Sequence, residues 1–181
     1  MASKVEALLV AFQQVLTEPW NPALSGRERV WFLVYDPAEQ RRLDLRLGDF
    51  ELAARRADKR WLAVSLRTCF AEWMAAHDYR DEYFADPEAL FDQLELEFRD
   101  YAVEFLRQAI QAGQPDEQTV VVLRDAGALF SFVRLGDVVE GIVDACRGRL
   151  LVLFPGEYSN NQYRLLDARD GWNYLARPIT G

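Results

Sequence analysis

Apolar residues along the chain alternate between short continuous runs and positions spaced three or four residues apart. The runs are typical of strands buried on both faces, and they cover Val30–Tyr35, Trp61–Leu66, Thr119–Leu123 and Leu150–Phe154. Helical spacing first occurs between Val5 and Leu16, which predicts an amphipathic helix there. Strands that alternate with helices favour a mainly parallel sheet covered on both faces.

We therefore expect one α/β domain over residues 1–181, with a mainly parallel sheet of about four to five strands flanked by helices. Such a domain is Rossmann-like or a degenerate P-loop-like relative. The sequence contains no GxxxxGK[ST], GxGxxG or GxSxG motif, so the usual phosphate-binding loop of a P-loop ATPase is missing. No cofactor is expected.

Local signals also predict where individual elements begin and end. Pro155-Gly156 is expected to end the central strand, because this pair favours a turn. The acidic and aromatic stretch Asp78–Asp86 is expected to be a connecting loop, and Asp86-Pro87 to open one long helix. Tyr174–Ile179 is expected to add an edge strand, where Pro178 is tolerated.

Composition limits the classes of partner. The formal net charge of −8 repels phosphate backbones, so direct binding of nucleic acid is not expected. The basic residues between Arg41 and Arg60 are interleaved with acidic ones, as on the solvated face of a helix. No apolar run reaches the ~18 residues that span a membrane, and a cytoplasmic protein is expected.

Cys69 and Cys146 lie among apolar neighbours and are expected to be buried thiols.

The segment Glu157–Trp172 is the main candidate for function, and we expect it to be an ordered loop at a sheet edge. Its aromatic and arginine residues have the composition of protein–protein hot spots. Alternatively, the same aromatic residues pin the loop to its own sheet, and the sequence does not decide between the two interpretations. The candidate partner-binding residues are Glu157, Tyr158, Asn160, Asn161, Tyr163, Arg164, Arg169, Asp170, Trp172 and Tyr174.

Acidic residues that follow predicted strands offer a second hypothesis, a metal-dependent hydrolase or a nucleotide-binding enzyme. Asp36, Asp125 and Glu157 each follow a strand, and parallel strands end at the same edge of a sheet. Carboxylates that meet there would hold a magnesium ion, with Asp167 and Asp170 close by. The opposing interpretation is that Asp36 caps a helix and Asp125 lies in a turn.

Four long runs of the sequence carry a family resemblance: RVWFLVYDPAEQRRL, LGDFELAAR, TCFAEWMAAHDYRDEYF and FPGEYSNNQYRLLDARDGWNYLARPI. Together they resemble the BrxB proteins of bacterial BREX (bacteriophage exclusion) systems, and they are distributed from Arg29 to Ile179, so the resemblance extends over most of the chain. The resemblance implies a component of an anti-phage defence complex, with PglZ as the first partner and BrxC or PglX as further ones. It supplies no catalytic residues. The function expected from it is that of a non-enzymatic adaptor.

Overall fold

The structure, a computed structural model, describes residues 3–168 and 172–181 of the chain. Within these ranges a six-stranded sheet lies between helices. The strands are β1 (Val30–Tyr35), β2 (Arg60–Ser65), β3 (Thr119–Arg124), β4 (Arg149–Ser159), β5 (Gln162–Leu165) and β6 (Arg177–Ile179). The helices are α1 (Lys4–Thr17), α2 (Gln40–Arg56), α3 (Cys69–Ala76), α4 (Arg80–Ala85), α5 (Glu88–Gln93), α6 (Arg99–Ala112) and α7 (Leu135–Ile142).

The strand order is β2-β3-β4-β1-β6, and all neighbours along this path are parallel. β5 lies off the path and pairs antiparallel with β4. The mainly parallel α/β fold is thus confirmed, with the predicted Leu150–Phe154 run in a central strand. β6 is an edge strand that contains Pro178, as expected.

Each face of the sheet carries its own hydrophobic core. On one face, Phe32 and Phe154 pack with the buried residues of α3, α6 and α7. On the other, Trp31 and Leu33 pack with the apolar side of α1 and with α2. This arrangement explains why β1 and β4 are apolar at every position of their central parts, since both of their faces are covered.

The two cysteines lie inside the core as free thiols, which confirms their predicted burial. Burial raises the pKa of Cys69 and of Cys146 to about 12. Because the thiolate is the reactive form, neither thiol is activated as a nucleophile at neutral pH. Both side chains act as small apolar residues.

The prediction that Pro155-Gly156 ends the central strand is wrong, because β4 continues through this pair to Ser159. Pairing with β3 ends at Val152, and Pro155 still lies opposite Tyr35 of β1. From Gly156 onwards β4 pairs with β5, so the proline lies where the strand exchanges one set of partners for another. A Cβ on Gly156 would lie 2.0 Å from the carbonyl oxygen of Arg164, so the close approach of the two strands requires glycine here.

Two expectations for the segment between β2 and β3 also need correction. The stretch Asp78–Asp86 is not a loop, since it contains α4. The long helix predicted after Pro87 is divided into α5, a π-helical turn over Leu94–Phe98, and α6. Within the described ranges, no helix combines the length and the apolar character that a membrane crossing requires.

Candidate functional site

The predicted loop that begins at Glu157 is in fact a β-hairpin that extends from central strand β4. Tyr158 of β4 lies opposite Tyr163 of β5, and Glu157 lies opposite Arg164. The two-residue turn between the strands consists of Asn160 and Asn161, with φ angles of 51° and 59°. Positive φ at both central positions defines a type I′ turn, in which asparagine is one of the favoured residues. The hairpin follows from this turn chemistry and from the alternation of side chains along β4 and β5.

The inner face of the hairpin is attached to the sheet. Tyr163 is fully buried, and its hydroxyl donates a hydrogen bond of 2.6 Å to the carbonyl oxygen of Ala176. Burial raises the pKa of this hydroxyl well above its ordinary value. The backbones of Tyr163 and Trp172 exchange two hydrogen bonds of 2.9 Å, and the indole of Trp172 contacts the ring of Phe32. Tyr174 stacks on Phe32 with a centroid distance of 5.6 Å. Tyr163, Trp172 and Tyr174 therefore serve mainly to hold the hairpin in place.

The outer face and the tip of the hairpin remain accessible. Glu157, Asn160, Asn161 and Arg164 are exposed, and Tyr158 is half-buried against Tyr163. Two further candidates, Arg169 and Asp170, lie outside the described residues. The structure thus divides the predicted partner-binding set into an anchoring group and an accessible, mostly polar group.

A cleft of about 890 Å³ adjoins the anchored side of the hairpin, between residues 130–137 and 172–175. Its aromatic wall is formed by Phe130, Phe132, Trp172 and Tyr174, and its charged residues include Arg27, Glu95, Arg134, Asp137 and Glu140. We call this cavity the aromatic cleft. Its volume lies in the upper part of the range of ~300–1,000 Å³ that is usual for small-ligand pockets.

The charged end of the aromatic cleft contains a partly exposed ion pair and a buried hydroxyl group. Arg27 Nε lies 2.5 Å from Glu140 Oε1. The Tyr174 hydroxyl is buried close to Glu140 and has no hydrogen-bond partner within the described ranges. Burial and the neighbouring Glu140 carboxylate together raise its pKa. The cleft thus combines an apolar wall with charged and polar side chains at one end.

The structure also shows a second accessible surface, which the sequence does not predict. Four large apolar side chains between β2 and β3 are largely exposed, namely Tyr79 (58%), Phe84 (72%), Phe91 (61%) and Leu96 (61%). Residues beside them in sequence, such as Tyr83, Leu90 and Leu94, instead pack on the core. Each short element here presents one apolar side chain inward and another to solvent, which is unusual for a solvated surface.

This exposed apolar surface is also strongly acidic. Residues 78–97 contain eight Asp or Glu side chains and one basic residue, Arg80, and so carry a formal charge of −7 out of −8 for the whole chain. We call the exposed side chains of residues 78–97 the acidic helical face. The high density of acidic residues, together with aromatic residues that follow no single helical period, was the available sequence signal. From the sequence alone this signal favours a loop.

The three carboxylates proposed as metal ligands have separate roles. Asp36 caps the helical turn Pro37–Glu39, accepts a hydrogen bond from the amide of Ala38, and lies 3.1 Å from Lys4 Nζ. Asp125 accepts a hydrogen bond of 2.6 Å from the Ser65 hydroxyl.

The third carboxylate, Glu157, is exposed on the hairpin, as is Asp167 nearby, whereas Asp170 falls outside the described residues. In residues 3–168 and 172–181, no three His, Cys, Asp or Glu side chains form a group that could hold a metal ion. The convergence of Asp36, Asp125 and Glu157 on one metal ion, which the alternative hypothesis requires, is therefore not found among the described residues.

The basic residues of the Arg41–Arg60 region are largely paired with acidic side chains. Ion pairs join Arg42 to Glu39, Arg46 to Asp49, Arg55 to Glu51 and Arg60 to Asp116. Such pairing is typical of a solvated helix face. It leaves little excess positive charge along α2 for a phosphate backbone.

The chain matches no protein-family model, no curated protein and no solved structure. Its function is therefore inferred from its own residues and from the two accessible surfaces.

Proposed function

We propose that this chain is a non-enzymatic adaptor of a BREX-type anti-phage assembly in the bacterial cytoplasm, where it binds a protein partner. The observation that carries the proposal is the exposure of four large apolar side chains in one segment: Tyr79 just before α4, Phe84 on α4, Phe91 on α5 and Leu96 on the π-helical turn. Large apolar side chains that are grouped in this way mark interaction sites more often than plain surface. Aromatic residues are also enriched among the residues that dominate binding energy.

The charge of the acidic helical face indicates which kind of partner surface it fits. Acidic side chains interleave with the exposed apolar ones, so the partner would supply basic residues around an apolar centre. Complementary charge accelerates association and excludes acidic competitors, whereas the apolar contacts provide most of the affinity.

The aromatic cleft extends the proposed surface. Glu95, which belongs to the acidic helical face, also lines the cleft, and so does Leu175, whose side chain is 67% exposed. A partner bound to the acidic helical face would therefore reach the cleft opening. The accessible outer face of the hairpin, with Glu157 and Arg164, offers a further polar contact beside it.

The resemblance to BrxB proteins supports the identity of the assembly and of its members. It favours PglZ as the direct partner, with BrxC or PglX as further ones. In this role the chain would position other proteins, and any modification or restriction of DNA would be an activity of the whole assembly.

The test is a binding titration of the purified chain against purified PglZ, comparing wild type with a Phe84→Ala, Phe91→Ala double variant. Since hot-spot truncations cost ~2 kcal/mol or more, we expect the affinity of the double variant to fall at least tenfold. Leu45→Ala is the matched control, because Leu45 is 78% exposed but lies on α2.

Equal affinity of the wild type and the double variant would remove the acidic helical face from the interface. Failure of the wild type to bind PglZ, and also BrxC and PglX, would contradict the adaptor function itself. Circular dichroism of each variant confirms that the fold is retained.

A further inference from the structure

A second cavity, of about 330 Å³, lies at the amino ends of the parallel strands, at the opposite end of β4 from the hairpin. Trp20, Arg29, Arg147 and Arg149 are among the residues that line it. We call it the amino-edge cavity. Its volume is at the lower end of the range for small-ligand pockets, ~300–1,000 Å³.

Arg149, the first residue of β4, is buried with only 5% of its surface exposed. Its guanidinium donates one hydrogen bond of 3.3 Å to the carbonyl oxygen of Gly148 and, within the described ranges, forms no ion pair with a carboxylate. Burial, and then the charge of Arg29, lower its pKa. Its guanidinium lies 4.8 Å from the centre of the Trp20 ring and 5.8 Å from that of Trp31, and no carboxylate of the described residues neutralises it, so a bound anion would stabilise it.

Further cations line the cavity or contact one of its lining residues. The guanidinium of Arg29 donates to the carbonyl oxygens of Leu24, at 3.0 Å, and Pro22, at 3.4 Å, which fixes its position without neutralising its charge. Lys59 Nζ lies 4.1 Å from the centre of the Trp20 ring, and burial and the charge of Arg149 lower its pKa. Exposed Arg147 adds another positive charge to the lining.

The polar groups that line the cavity indicate that a negatively charged hydrogen-bond acceptor would fit there. The Trp20 indole nitrogen is buried and has no hydrogen-bond acceptor among the described residues. Of the two acidic residues in the lining, Asp144 is ion-paired with Arg107 at 2.7 Å, which leaves Glu117. Excess positive charge and a donor without an acceptor therefore meet in one cavity of a chain whose net charge is negative.

We propose that the amino-edge cavity binds the phosphate group of a small phosphorylated molecule. Guanidinium groups bind phosphate oxygens through paired, charge-assisted hydrogen bonds, and a phosphate supplies the acceptors that Arg149 and Trp20 lack. Bound phosphate would also offset the repulsion between Arg29 and Arg149. This site is independent of the proposed partner surface, which lies on other elements.

The test is isothermal titration calorimetry of the full chain with inorganic phosphate, pyrophosphate and ATP at low ionic strength. We expect one equivalent to bind. Tighter binding of ATP than of inorganic phosphate identifies a phosphorylated organic molecule as the ligand, and equal binding identifies the phosphate ion. Absence of binding by all three at millimolar concentration overturns the proposal.

Variants locate the binding within the cavity. Arg147→Gln changes an exposed side chain and should weaken binding about tenfold to a hundredfold, as expected for the loss of a charged hydrogen bond. Arg149→Met should abolish binding. Arg55→Gln, which removes one charge on the exposed face of α2, should leave the affinity unchanged.

If Arg149→Met does not fold, Arg147→Gln against Arg55→Gln is sufficient, because both positions are exposed. Equal affinities of these two variants would contradict the proposal.

Discussion

The hydroxyl of Tyr163 joins the hairpin to the segment that follows it, through its hydrogen bond to the carbonyl oxygen of Ala176. Tyr163→Phe removes the donor and leaves this carbonyl group without its partner. We expect the free energy of unfolding to fall by about 1–3 kcal/mol, the usual cost of a buried polar group left unsatisfied. Urea unfolding should show a lower midpoint with an unchanged dependence on urea concentration.

Tyr158→Phe provides the control for this prediction. The Tyr158 hydroxyl donates to Asn161 Oδ1 at 3.2 Å in an exposed position, where water replaces the lost partner. Its removal should change the stability by less than about 0.5 kcal/mol. If both variants lost the same stability, the hydrogen bond to Ala176 would have no special role in anchoring the hairpin.

The β4–β5 hairpin depends on its two-residue turn. Two different substitutions at one position of this turn should therefore change the stability of the protein in opposite directions. Asn161 has a φ of 59°. Asn161→Gly should stabilise the protein by about 0.5 kcal/mol, because glycine adopts positive φ without steric cost. Asn161→Val should destabilise it by about 1–2 kcal/mol, since a β-branched residue is strained there. Thermal unfolding of the two variants checks this, and a shift in the same direction for both would contradict the type I′ turn.

Elements whose signal is local were predictable, and those that depend on partners far along the chain were not. The run Val30–Tyr35 is apolar throughout and forms β1 with the predicted bounds. The continuation of β4 through Pro155-Gly156 depends on the loss of β3 and the arrival of β5 as a neighbour. The Pro155-Gly156 pair itself does not reveal these distant neighbours, because it has the same local sequence whether it lies in a turn or within a strand.

The candidate site was harder to predict than the fold for a related reason. Tyr83 and Phe84 are adjacent and both aromatic, yet Tyr83 packs against the core and Phe84, the more apolar of the two, is exposed. Which of the two faces solvent is set by how the short α4 docks, and six residues are too few for a clear helical period. The composition of the segment was visible in the sequence, but its orientation was not.

Over the whole molecule, charge is distributed unevenly. The acidic helical face accounts for most of the net negative charge, whereas cations collect at the amino ends of β1, β2 and β4. An uneven field of this kind orients a charged partner before contact. It would also separate the two proposed binding functions, since a basic protein surface and a phosphate are attracted to different parts of the same chain.

Ion pairs between distant elements give the whole fold a dependence on pH. Arg107 of α6 binds Asp144 after α7, and hydrogen bonds from this guanidinium lower the pKa of Asp144 below its ordinary value of 3.8. A carboxylate whose pKa is lowered in the folded state stabilises the protein. Its contribution is fully present when the pH is above the ordinary pKa, and it is lost as the pH falls through the folded-state pKa. Arg177 lowers the pKa of Glu18 in the same way.

We therefore expect Asp144→Asn to reduce the free energy of unfolding by about 0.5 kcal/mol at pH 7, a small value because solvent screens this exposed pair. The difference from wild type should shrink as the pH falls below 3.8 and through the lowered pKa of Asp144, because the wild-type carboxylate takes up a proton there. Urea unfolding at several pH values between 7 and 2 measures it. Asp92→Asn makes the same change of charge at an exposed site of α5, and Asp92 forms no ion pair with any of the described residues. This variant should therefore have the stability of the wild type at every pH. A wild-type stability that stayed constant down to pH 2 would mean that these ion pairs do not hold the distant elements together.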